Sequence, residues 1–201
     1  MIVSERSDHT IITPFTDYVY HSTLTEQELS FIQDLAEQSR NGEKFGKNLA
    51  GNIIEQRSGS NTTVEEQQKL FSIFAKHVES FVKYERQEAQ VTRFGIEALW
   101  FNYMKANEFN PLHSHRGSIS GIVMVKVPLE IAEELNTNIE TNARCPGHLE
   151  FVIGEHIHRI LPKEGQIYLF PSSVKHQVYP FSSDVERVTM SWNITEIHTD
   201  D

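Results

Sequence analysis

The sequence predicts an α+β protein in which two N-terminal helices back a β-sandwich or jelly roll. Three observations lead there. As far as about residue 90 the apolar residues recur at helical spacing. From about Thr92 they alternate with the period of a strand, and the strand-like runs are short and parted by Gly, Pro, Asn and Asp. Helices followed by a run of short strands with turn residues between them belong to the helix-backed sandwich and barrel architectures.

Residues 9–20 read as extended, with Pro14 confining them to an edge or a bend. A helix follows. Thr25 is a good N-cap, Glu28 three residues on completes a capping box, and Leu24 can staple onto Leu29. Leu29, Ile32, Leu35 and Ala36 form its apolar face, and Asn41-Gly42 ends it. Residues 41–62 are polar and rich in glycine and read as a loop with a short ordered segment at Leu49–Ile54. A second capping box, Thr63 with Glu66, opens a longer helix with the face Leu70, Phe71, Phe74, Val78, Phe81 and Val82. Both helices are expected on the outside of a sheet. The strand runs are Phe94–Tyr103, Ser118–Val127, His148–Ile153, His156–Leu161, Gln166–Phe170, Lys175–Tyr179 and Arg187–Ile194. Residues 129–147 break the pattern and would form either a lid over the barrel mouth or a surface excursion.

The 201 residues suit one domain spanning 1–201, with a helical part about 1–90 and a jelly-roll core about 91–197. An aromatic content of 10% beside 38% hydrophobic residues marks an ordinary globular composition, so a packed core is expected. No apolar run approaches the ~18 residues that span a bilayer. The first residues carry acids and no apolar stretch, and Cys145 is the only cysteine, so a reducing cytoplasm is the expected compartment, that of a host cell if the gene is a phage's. A net charge of −10 without any cluster of Lys and Arg argues against bare nucleic acid as a partner. Edge strands leave room for a homodimer.

The chemistry concentrates in Asn107–Gly117. His113 and His115 are two apart, so on an extended backbone their imidazoles point the same way and can meet on one ion. His176 sits in a later strand run after the turn Pro171-Ser172-Ser173, and Arg187 follows it by eleven residues. Imidazole serves iron, zinc, copper and nickel alike, so the residues alone do not choose the metal. The other histidines have plainer readings. His9, His21, His77 and His198 fall in termini or on polar faces, and His148 stands beside a turn. The rival pair His156/His158 repeats the spacing, but lies in a hairpin and has no arginine at a suitable distance from a third ligand.

These stretches resemble a family. Leu49–Ile53, Glu108–His115, Gly165–Ser172, His176–Phe181 and Glu186–Ile194 are similar to the 2-oxoglutarate and Fe(II)-dependent oxygenases, in particular those carried by marine bacteriophages. The resemblance covers about residues 45–195 and implies a double-stranded β-helix, the cupin-like jelly roll, with Fe(II) as metal and 2-oxoglutarate as co-substrate. It makes His113, His115 and His176 the metal ligands. Most of the superfamily has a carboxylate where this chain has His115, so the site carries one negative charge fewer and should hold Fe(II) less tightly. Glu150 or Glu155 is the alternative source of that carboxylate. The resemblance further implies Arg187 as the two-pronged partner of the distal carboxylate of 2-oxoglutarate, with Thr189, Asn102 and Tyr168 beside it. No catalytic group beyond the ligands is implied. The activity implied is hydroxylation of an unknown organic or protein substrate by dioxygen, coupled to decarboxylation of 2-oxoglutarate.

Two rivals stand beside it. A three-histidine dioxygenase of the cupin type would bind its organic substrate directly to the metal and has no need of Arg187. A non-enzymatic jelly roll with incidental histidines would take up no stoichiometric iron.

Overall fold

Two antiparallel sheets stack on one another. A computed structural model describes residues 18–85, 90–136 and 145–200. His9 and residues 9–17 of the expected extended run lie outside the described residues, as do residues 137–144 of the expected excursion. The larger sheet has six strands in the order β1 (Tyr20–Thr23), β8 (Gln166–Pro171), β5 (Ile119–Lys126), β10 (Arg187–Asp200), β3 (Gln90–Met104) and β2 (Glu55–Ser58). The smaller sheet runs β4 (Asn110–His113), β9 (Lys175–Val178), β6 (Leu149–Ile153) and β7 (His156–Ile160). This is the jelly roll, or double-stranded β-helix, that the sequence predicts.

Period-two alternation assigns every residue of the central strands to one of two cores. On β10, Val188, Met190, Trp192 and Ile194 join the core shared with the helices, while Arg187, Thr189, Ser191 and Asn193 point between the sheets. On β8 and β5, Ile167, Leu169, Val123 and Val125 face the helices, and Tyr168, Phe170, Ile122 and Met124 meet Leu149 and Phe151 of β6 across the barrel. Gly121 on β5 makes room for the deepest of these side chains. A Cβ there would lie 2.2 Å from the Trp192 indole, which stacks on Phe74 with ring centres 4.0 Å apart.

The helices are α1 (Glu26–Ser39) and α2 (Val64–Glu85), both on the outer face of the large sheet. Both expected capping boxes are present. Thr25 Oγ1 accepts from the Glu28 amide at 3.3 Å and Thr63 Oγ1 from that of Glu66 at 3.2 Å, with each glutamate accepting in return from the threonine's own amide. Ile32, Leu35, Ala36, Leu70, Phe74, Val78, Phe81 and Val82 are buried as expected. Phe71 is not: it stacks on Phe94 at the rim of the sheet and stays 40% exposed. His77, expected on a polar face, is buried between helix and sheet. Its place three residues after Phe74 and four before Phe81 puts it on the apolar stripe, where Tyr20 meets its Nδ1 at 3.0 Å.

Three other expectations need correction. Regular structure in residues 41–62 is a short 3-10 turn, Gly46–Asn48, and the polar strand β2, while the expected segment Leu49–Ile54 carries an isolated bridge between Asn52 and Phe109. The strands β3 and β10 run further than their apolar pattern, pairing along 15 and 14 residues by means of bulges after Asn193, Ile194 and His198. The break at residues 129–147 begins with a short helix, α3 (Leu129–Glu133), whose Ile131 packs with Met104 and Phe181.

Candidate active site

β4 and β9 bring the first two histidines together because His113 and His176 are register partners in an antiparallel pair. Side chains opposite each other share a face, and both face the space between the sheets. His115 comes from the segment after β4 rather than from the strand itself, so the alternation argument is not what orients it. Its amide donates to the Ser172 carbonyl at 2.8 Å, which ties that segment to the turn before β9. The result is a cluster in which one ring nitrogen from each of His113, His115 and His176 lies within 4.8 Å of the other two.

The tautomers follow from the hydrogen bonds. His113 Nδ1 stands 2.7 Å from the Pro111 carbonyl and His176 Nδ1 3.1 Å from that of Val174. A carbonyl can only accept, so each Nδ1 carries the hydrogen and each Nε2 keeps its lone pair for a metal. Burial holds all three imidazoles below their ordinary range, since water is no longer there to solvate a cation. His176 falls to about 3, helped by the nearby His113, and His115 to about 4, while His113 shifts the same way. At neutral pH the cluster is three neutral donors, a set suited to a borderline divalent ion such as Fe(II).

These imidazoles sit in a cavity of about 190 Å³ whose inner wall is the inward face of β3 and β10. Asn102 pairs with Thr189, and Met104 with Arg187. Arg187 is buried. Its Nη1 donates to the Gly147 carbonyl at 2.7 Å, its Nε finds no partner, and among the described residues no carboxylate pairs with it. The neighbouring Glu186 turns away to Arg40. Desolvation holds the guanidinium down to about 10, although it remains charged at neutral pH. A buried cation without a counter-ion is a standing cost that a carboxylate guest removes, so the cavity fits an anion bearing two metal-chelating oxygens at one end and a carboxylate at the other.

Of the residues expected here, Asn102, His113, His115, His176, Arg187 and Thr189 all line the cavity. Tyr168 does not. Its ring packs with the Phe151 and Phe170 cluster, and its hydroxyl donates to Gln166 Oε1 at 2.6 Å. Glu150 pairs with Gln177 across β6 and β9, one residue out of step with the Phe151–His176 pair, so it faces the opposite side of the sheet. There it accepts from Arg159, Gln177 and Tyr179. Glu155 is exposed in the β6–β7 turn, and His156 and His158 are exposed on β7. Ser191, two residues beyond Thr189, also faces the cavity and was discoverable by alternation; Gln56, which donates to Asn102 Oδ1 at 2.7 Å, carried no signal.

Comparison with known proteins agrees with this geometry. Residues 98–193, the stretch holding the six expected residues that line the cavity, match the family described as "Putative 2OG-Fe(II) oxygenase". No curated protein matches the sequence. Among solved structures, a prolyl-4-hydroxylase from Pseudomonas putida aligns with a TM-score of 0.55 at 14% identity, over 90% of this chain and 94% of its own. The viral collagen prolyl hydroxylase from Paramecium Bursaria Chlorella virus-1, in complex with 2-oxoglutarate, aligns at 0.57 and 14%, over 89% and 96%. The epimerase SnoN of nogalamycin biosynthesis, holding Fe3+ and α-ketoglutarate, aligns at 0.59 and 14%, over 90% and 79%. Likeness at these identities speaks to the fold alone, including that to a viral protein. No helix among the described residues is long and apolar enough to cross a membrane. Residues 98–193, which supply most of the cavity wall, thus carry a likeness to the 2-oxoglutarate and Fe(II)-dependent oxygenases, a family whose metal is Fe(II) and whose co-substrate is 2-oxoglutarate.

Proposed function

We propose that this oxygenase is a hydroxylase in which the Nε2 atoms of His113 and His176, together with His115, hold Fe(II), and in which Arg187 binds the distal carboxylate of 2-oxoglutarate. One observation carries the reading: three neutral imidazoles converge in the same cavity as a buried guanidinium that lacks a counter-ion among the described residues. Bound together, iron and 2-oxoglutarate supply the activation of dioxygen and the oxidising power for a C–H bond, with loss of CO2.

The chain's own groups do the rest. The carbonyls of Pro111 and Val174 lock two imidazoles in the metal-binding tautomer. Arg187 fixes one end of the keto acid, so its chelating end meets the ion without searching, and Thr189 and Asn102 add hydrogen bonds beside it. The walls of Trp100, Ile122, Phe170 and Trp192 limit water in the cavity. With His115 in the place usual for a carboxylate, the described residues of the site offer the metal no anionic side chain. The sequence leaves the substrate open, and the fold neighbours, which include prolyl hydroxylases and an epimerase of nogalamycin biosynthesis, make a peptide or a small organic molecule the classes to test first. A single cysteine, Cys145, is in keeping with work in the cytoplasm.

The test is anaerobic titration of the Fe(II) protein with 2-oxoglutarate. Chelation gives a visible charge-transfer band, and in air the same sample should release succinate. His113→Ala and His176→Ala should lose both iron and band. A wild-type protein that binds iron but shows no band, with Arg187→Leu harmless to turnover, would favour the three-histidine dioxygenase instead.

A further inference from the structure

We propose that Gln56, which lies outside the matched stretch, is a positioning residue that sets the direction of the hydrogen bonds in the co-substrate pocket. It would keep the hydroxyl protons of Thr189 and Ser191 turned toward a bound carboxylate. The inference rests on the reading of that pocket given above. Gln56, Asn102 and Thr189 are consecutive register partners across β2, β3 and β10, so their side chains form one row on the inner face of the large sheet.

The row has a direction. Gln56 Nε2 donates to Asn102 Oδ1 at 2.7 Å, and Asn102 Nδ2 then approaches Thr189 Oγ1 at 3.1 Å and Ser191 Oγ at 3.4 Å. An asparagine amide has one accepting end and one donating end. With its oxygen engaged by Gln56, its amino group must face the two hydroxyls. A hydroxyl that accepts from an amino group keeps its own proton to give away, and the cavity beside Arg187 is where an anion would take it. Were the amide reversed, Asn102 Oδ1 would draw the hydroxyl protons to itself, and the two oxygens would present lone pairs to the carboxylate.

Packing alone does not account for a glutamine here. Gln56 is 3% exposed and its Oε1 is buried without a partner among the described residues, a cost that an apolar side chain of the same length would not carry. Two glycines of the preceding loop admit it: a Cβ on Gly46 would stand 3.1 Å from Gln56 Oε1, and one on Gly51 3.3 Å from Nε2.

The experiment compares Gln56→Glu, Gln56→Met and wild type, each loaded with Mn(II) as an inert stand-in for iron. Calorimetry gives the affinity for 2-oxoglutarate, and Mn(II) paramagnetic resonance gives the affinity for the metal. The ionised carboxylate that Gln56→Glu introduces can only accept, so it should reverse the row, and Gln56→Met removes the donor without adding charge. Expected are losses of 2-oxoglutarate affinity of about 30-fold or more for Gln56→Glu and about 3- to 10-fold for Gln56→Met, with Mn(II) affinity within about twofold of wild type. Lowering the pH should restore Gln56→Glu as its carboxyl regains a proton to donate, and leave the Met variant's deficit unchanged. Variants that bind 2-oxoglutarate as wild type does, or lose Mn(II) and 2-oxoglutarate affinity in parallel, would overturn the proposal alone. A wild-type protein that binds no 2-oxoglutarate would overturn the pocket reading and this proposal with it.

Discussion

Replacing Arg187 with methionine should make the empty protein more stable and the ligand-binding protein worse, and the two effects can be measured separately. Burial brings the guanidinium down from its ordinary range to about 10. A tenfold change in ionisation corresponds to ~1.4 kcal/mol, so holding this charge in the empty cavity costs about 3 kcal/mol. Against that stands the hydrogen bond to the Gly147 carbonyl at 2.7 Å, whose loss leaves a buried acceptor unmet at a cost of ~1–2 kcal/mol. Urea unfolding of the metal-free variant near neutral pH should therefore show a gain of about 1–2 kcal/mol over wild type. Binding goes the other way. Two charge-assisted hydrogen bonds to the distal carboxylate contribute about 3–5 kcal/mol, a loss on the order of 100- to 5000-fold in 2-oxoglutarate affinity by anaerobic titration. A metal-free variant less stable than wild type by more than about 1 kcal/mol, or one that still binds 2-oxoglutarate within about tenfold of wild type, would refute the reasoning.

Other consequences are as concrete. Gly121→Ala places a methyl group 2.2 Å from the Trp192 indole and should cost about 1–3 kcal/mol, read by chemical denaturation; a neutral result would mean the indole can move off Phe74 freely. Glu150→Gln breaks the charge-assisted bonds with Arg159, Gln177 and Tyr179 and should cost about 1–3 kcal/mol while leaving iron stoichiometry unchanged by elemental analysis. Loss of iron in that variant would make Glu150 a ligand. Acid should loosen the metal-free fold, because the unfolded His176 takes up a proton near pH 6.5 while the folded one resists until about 3. Its contribution is whole above pH 6.5 and falls by at most ~1.4 kcal/mol per pH unit below it. The difference in unfolding free energy between wild type and His176→Asn, followed from about pH 7 to about pH 5, should shrink accordingly, and a pH-independent difference would contradict the burial argument.

Why some elements were legible and others were not has a physical basis. The capping boxes at Thr25/Glu28 and Thr63/Glu66 are local, since both partners lie within one turn, so a stretch of four residues suffices to predict them. The central strands β3, β5, β8 and β10 declared themselves because their apolar residues either run continuously or alternate between helix-side and cavity-side positions. β2 did not: it is four polar residues, and Gln56 and Ser58 are buried for their hydrogen bonds rather than their oiliness, which leaves no periodicity to read. His77 was misread for the opposite reason, its polar ring masking a helical position that points into the core.

Taken alone, the order of the residues determined the class of fold, through short-range periodicity, and singled out His113, His115, His176 and Arg187 as candidates by residue type and spacing, while the chemistry expected of them came from the resemblance to a family. Only the folded chain decided that His113 faces His176 across one strand pair, that His115 joins them from beyond the strand end, that Glu150 faces away, and that Gln56 stands in line with Asn102 and Thr189. Each of these depends on which residue lies opposite which across a sheet, and a shift of one residue in that pairing turns a side chain from the cavity to the other face.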